Sequence, residues 1–162
     1  MDRNARTAAK IAAIIVATVI VTLLAYYICS ALAGHQLATA SNQMNYSQWQ
    51  DKFFSLVIVT GAVTGICSLV WFILARWIFK INMAVGIGKR TIWAILAAVS
   101  LIACIIIPRT YSVTLGIKIN GLIIALLVVF FTVVGYWILS IFTTPKAFKY
   151  TPVGALLFAR KK

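Results

Sequence analysis

The chain has 162 residues, 63% of them hydrophobic and 10% charged, whereas soluble domains carry about 25% charged residues. Fifteen lysines and arginines stand against two acids, Asp2 and Asp51, for a formal net charge of +13. With no glutamate and a single histidine, His35, the composition leaves little for acid–base catalysis, carboxylate metal sites or calcium loops. Three scattered cysteines are too few for an intrachain zinc or iron–sulfur site. The expected protein is a small basic membrane protein, not an enzyme, with no cofactor.

A helix crossing roughly 30 Å of hydrocarbon needs about 20 apolar residues. Residues 11–33, 53–75 and 122–142 satisfy this without a charge, and 92–107 is a shorter fourth run. That run lies between Lys89/Arg90 and Pro108/Arg109, whose long side chains can snorkel and extend it. The predicted fold is therefore an all-α membrane protein of four transmembrane helices in one domain, with residues 143–162 as a basic cytoplasmic tail. Arg3, Arg6, Lys10 and the Ala31-Leu32-Ala33 tripeptide resemble a signal peptide and its cleavage site. The apolar run exceeds the usual h-region of about 7–15 residues, so a retained helix is expected.

Basic residues gather on the untranslocated face of a membrane protein. Arg3, Arg6, Lys10, Arg76, Lys80, Lys89, Arg90, Lys146, Lys149, Arg160, Lys161 and Lys162 fall on one side of the four spans. Lys52, Arg109 and Lys118 fall on the other. Both termini and the middle connection are expected in the cytoplasm, in a bacterial inner membrane. The same bias accounts for the net charge without a nucleic-acid partner, and it presents Arg76, Lys80, Lys89, Arg90, Lys146, Lys149 and Arg160–Lys162 to an anionic inner leaflet or a partner. Trp77, Trp93, Trp137 and Tyr150 are expected at the inner interface, and Tyr46, Trp49 and Tyr111 at the outer one.

No ionisable residue falls inside the four runs, although proton- or sodium-coupled carriers usually load their cation on an embedded carboxylate. Small multidrug antiporters share the four-helix scale but carry a glutamate in the first helix, where this chain reads Ile11-Ala-Ala-Ile-Ile-Val-Ala-Thr18. Quinone reductases that form disulfides need paired outward cysteines, whereas Cys29, Cys67 and Cys104 are isolated within spans. They are expected as small buried hydrophobes, although Cys29 and Cys104 lie toward the same side of the membrane. The second run holds a Gly61-x-x-x-Gly65 pair, with Thr60, Thr64 and Ser68 recurring at intervals of four. Small residues let helix backbones approach, and hydroxyls can bond across the contact. Thr60, Gly61, Thr64, Gly65 and Ser68 therefore form the expected helix-packing face.

Two connections alternate apolar and polar residues. Tyr111, Val113, Leu115, Ile117 and Ile119 do so strictly, bounded by Pro108 and Asn120-Gly121, and the pattern predicts a half-buried β-strand, either lying along the bilayer surface and helix ends or available to a partner. Phe79, Ile81, Met83, Val85 and Ile87 show a looser version. The functional expectation is a non-catalytic subunit of a larger membrane assembly, for secretion, conjugation, envelope work or sensing, that binds other membrane subunits or its own copies. The alternatives are a small immunity- or exclusion-type protective protein and a homo-oligomeric channel walled by Thr60, Thr64 and Ser68.

Overall fold

The computed structural model describes residues 3–41, 44–78 and 86–144. Helix α1 runs Arg3–Ala40, and α2 runs Tyr46–Ile73 with a π-helical turn at Leu74–Ile78. Helix α3 spans Gly86–Leu115. Helix α4 occupies Gly121–Thr143; it is α-helical over Gly121–Val128, π-helical over Val129–Ile138 and α-helical again from Leu139. All four are long and apolar enough to cross a membrane, the plan of a multi-pass membrane protein.

The helices run up, down, up and down. Tyr46 at the start of α2 bonds Ser30 near the end of α1, and Arg76 at the end of α2 reaches Thr7 at the start of α1. Helices α2 and α4 run in the same direction through the middle, while α1 and α3 flank them, each packed on both. Burial follows this plan. The most apolar window of α2 is 56% buried, against 22% in α1, 22% in α3 and 28% in α4. An outer flank of Val16, Ile20, Leu24, Ile95, Ile102 and Ile106 stays exposed, as lipid-facing side chains must.

The helices outrun the sequence expectation. At about 1.5 Å per residue, the 38 residues of α1 reach about 57 Å, well beyond a core of about 30 Å. The third helix departs most, because residues 108–115 continue it. Pro108 sits inside α3, where its missing N–H interrupts a single ladder bond. The predicted strand is corrected here: Tyr111, Val113 and Leu115 lie in the last turns of α3, and no strand occurs among the described residues. Lipid favours segments that satisfy their own backbone, which prolongs a helix where water would admit an extended edge. The helix closes at Gly116, the one glycine with positive φ (65°) among the described residues. Ile117 N donates to Ser112 O at 3.0 Å and Gly116 N to Val113 O at 3.3 Å, the two bonds of a Schellman cap. Buried Ile117 seals that cap, and only residues 117–120, which form neither helix nor strand, separate it from α4. Of the looser alternating stretch, residues 79–85 lie outside the described residues, and Gly86 and Ile87 open α3.

Candidate functional site

The predicted packing face divides into two adjacent stripes of α2. Gly61 and Gly65 meet α1. A Cβ on Gly61 would sit on Thr22 Oγ1, with Phe131 Cε1 at 3.1 Å, and one on Gly65 would lie 2.8 Å from Thr18 Cγ2. The absent side chains thus set how closely α1 approaches. Thr64 and Ser68 face the other way: Thr64 Oγ1 and Ser100 Oγ on α3 lie 3.1 Å apart, and Ser68 Oγ donates to Gly135 O on α4 at 2.9 Å. Thr60 is buried and donates to Leu56 O of its own helix. Gly135 belongs to the π-helical stretch, in which Phe131, Gly135 and Tyr136 point inward at the wider spacing of that helix. Thr64 Cγ2 would stand 3.3 Å from a Cβ there.

These bonds are the middle of a polar seam that continues toward the Arg76 end. Tyr136 OH donates to Trp93 O at 2.9 Å, Trp93 Nε1 to Ser140 Oγ at 2.9 Å, and Trp71 Nε1 to Thr144 Oγ1 at 3.0 Å. Thr144 Oγ1 in turn bonds Ser140 O. At the opposite pole Thr132 Oγ1 points to the Cys104 thiol at 3.7 Å. Each hydroxyl or indole N–H here would lack a partner in hydrocarbon, so the seam ties α2, α3 and α4 together from within. Trp93 and Trp71 are buried core rings, so the expectation of Trp93 at the lipid interface is corrected; Trp77 and Trp137 are exposed. All three cysteines are free and buried.

The other end is stapled by the connections. Lys52 Nζ donates to Leu115 O at 2.8 Å, placing a cation on the carbonyl end of α3. Lys118 N donates to Ser41 Oγ at 2.8 Å, and Asn120 Oδ1 accepts from Ile123 N at 3.0 Å to cap α4. Between α1 and α2 the rings of His35 and Tyr46 stack at 4.1 Å, and within α2 those of Trp49 and Phe53 stack at 4.8 Å. Gly34 leaves the space that the Tyr46 ring occupies. Trp49 is fully buried, which corrects its expected interfacial place, and its Nε1 is the one buried side-chain polar atom among the described residues without a partner. A membrane-facing recess of about 320 Å³ lies between Thr18, Thr22, Leu23, Phe54, Ile58 and Gly61.

The remaining predicted residues are dispersed. Val113 is 83% exposed, Tyr111 is exposed, Leu115 and Ile119 are half-buried and Ile117 is buried, so they share no face. Arg76 is half-buried, Lys89 buried and Arg90 exposed, all at the end where α2 stops and α3 begins. Lys80, Lys146, Lys149, Arg160, Lys161, Lys162 and Tyr150 lie outside the described residues. Ser41, Ser140 and Thr144 were not singled out in the sequence. The signal available was a serine or threonine recurring three times at intervals of four within an apolar run, which α2 shows at Thr60, Thr64 and Ser68 and which Ser41, Ser140 and Thr144 do not share. Among the described residues no three His, Cys, Asp or Glu side chains gather as a metal site would require. No protein family, curated protein or solved structure matches the chain.

Proposed function

We propose that the chain is a non-catalytic integral membrane subunit of a larger assembly, acting through helix packing and partner docking. One observation carries this reading. The hydroxyl and indole groups inside the spans are used to bind α2, α3 and α4 to one another, while α1 and α3 leave most of their apolar windows uncovered. A polar interior spent on internal cohesion offers no loading site for a solute, and the uncovered flanks offer surface to other helices. In this reading the Arg76 end faces the cytoplasm and its anionic leaflet, in a bacterial inner membrane. The burial of Thr60, Thr64 and Ser68 between helices of one chain speaks against a pore wall built from them.

The test is purification of the full chain from its source cell in mild detergent. A stoichiometric second membrane protein is expected, and Ile20→Trp or Ile102→Trp, on the exposed flanks of α1 and α3, should displace it while the chain stays folded. A single purified species that turns over a compound, or accumulates a solute against its gradient, would refute the proposal.

A further inference from the structure

The Arg76 end carries Arg3, Arg6 and Lys10 on the first turns of α1, Arg76 at the end of α2, and Lys89 and Arg90 at the start of α3. The one acid nearby in sequence is Asp2, outside the described residues, and Asp51 belongs to the far end of α2. Two of these cations are held against the same face of α1. Arg76 donates a guanidinium N–H to Thr7 Oγ1 at 3.4 Å, and Lys10 Nζ donates to Thr143 O at the end of α4 at 3.5 Å. Thr7 and Lys10 are three residues apart, so their Cβ atoms are helical neighbours about 5–6 Å apart. Both acceptors are neutral oxygens, and both bonds are long. The guanidinium has five N–H donors and the ammonium three, so each retains donors for an anion. Arg76 and Lys10 thus reach the same end of the bundle through bonds to neutral oxygens, and among the described residues no carboxylate stands at that end to neutralise them.

We propose that this corner, where the first turns of α1 meet the ends of α2 and α4, binds the phosphate of an anionic lipid headgroup between Arg76 and Lys10. The bound phosphate bridges Arg76 at the end of α2 and Lys10 on the first turns of α1, beside the end of α4. The proposal rests on the reading that this end meets the anionic leaflet. Its test is made in detergent, where no leaflet exists, so its failure is separate from that of the orientation, which protease protection of an amino-terminal tag in sealed vesicles decides.

The full chain in neutral detergent is titrated with phosphatidylglycerol, phosphatidylcholine or inorganic phosphate, and retained lipid is counted by native mass spectrometry. Wild type is expected to retain phosphatidylglycerol over phosphatidylcholine. Arg76→Gln with Lys10→Gln should weaken that retention about 30-fold, and Arg109→Gln with Lys118→Gln at the opposite end should leave it unchanged. Lys10→Gln alone, on an exposed side chain, serves where the double variant does not fold and should weaken retention about fivefold. Displacement of lipid by inorganic phosphate identifies the phosphate as the recognised group, and saturable phosphate binding without lipid preference assigns the same corner to a free anion. Equal loss in both variant pairs, no change in Lys10→Gln, or no preference for either anion would overturn the proposal.

Discussion

The contact between α1 and α2 makes Gly61→Ala the sharpest probe of the fold. The added methyl falls on Thr22 Oγ1 and within 3.1 Å of Phe131 Cε1. Thr22 cannot yield cheaply: a β-branched residue in a helix has few χ1 alternatives, and its hydroxyl is bonded to Thr18 O at 2.8 Å. Thr18 is itself pressed on Gly65, so a shift of α1 meets a second close contact. Overpacking of this kind costs about 1–3 kcal/mol, offset by roughly 0.5–1 kcal/mol from replacing glycine within a helix, for a net loss of about 1–2 kcal/mol. Thr22→Ala removes the obstructing atoms, so the penalty of Gly61→Ala should largely vanish in that background, a coupling of about 1–2 kcal/mol. The assay is equilibrium unfolding in mixed dodecylmaltoside–SDS micelles, followed by fluorescence of the buried Trp49, Trp71 and Trp93. Gly121→Ala, whose Cβ meets nothing within 4 Å, is the control and should leave the midpoint unchanged or slightly raised. A Gly61→Ala protein as stable as wild type, or a penalty undiminished by Thr22→Ala, would refute the close approach of the two helices.

Other expectations can be read by the same assay. Gly116→Ala should destabilise by about 1–2 kcal/mol through its left-handed backbone alone, since open space surrounds it, and Gly116→Asn by less. Asn120→Ala should cost about 1 kcal/mol by removing the cap of α4, and Asn120→Asp should retain it. Ser68→Ala, which leaves Gly135 O without its interhelical donor, should cost about 0.6 kcal/mol, and no more than about 1.7. Val113→Lys, on an exposed helical position near the end of α3, should change stability by less than about 0.5 kcal/mol; a large loss would mean that this segment packs against something within the chain.

Much of this architecture was legible from apolar run length alone, because lipid imposes one rule on every residue it surrounds. The close approach at Gly61 and Gly65 was legible as well, since a pair of absent side chains four apart has few other uses within a span. What alternation in residues 111–119 could not reveal was the cap at Gly116. Tyr111 and Leu115 are also four apart, so the same letters suit a helix that ends in a left-handed glycine. The tryptophans misled for a related reason: an indole near a span end suits the lipid interface and a buried hydroxyl equally well, and Trp93 finds Ser140 while Trp71 finds Thr144. Such pairings join distant stretches of chain and carry no local signature.

The central place of α2 bears on how the protein is made. It is translated before α3 and α4, so the partners of its Thr64, Ser68 and Trp71 side chains, Ser100, Gly135 and Thr144, follow tens of residues later. A nascent chain that stalls after α2 therefore holds an unfinished surface in the bilayer, open to mispairing with another copy until α3 and α4 arrive.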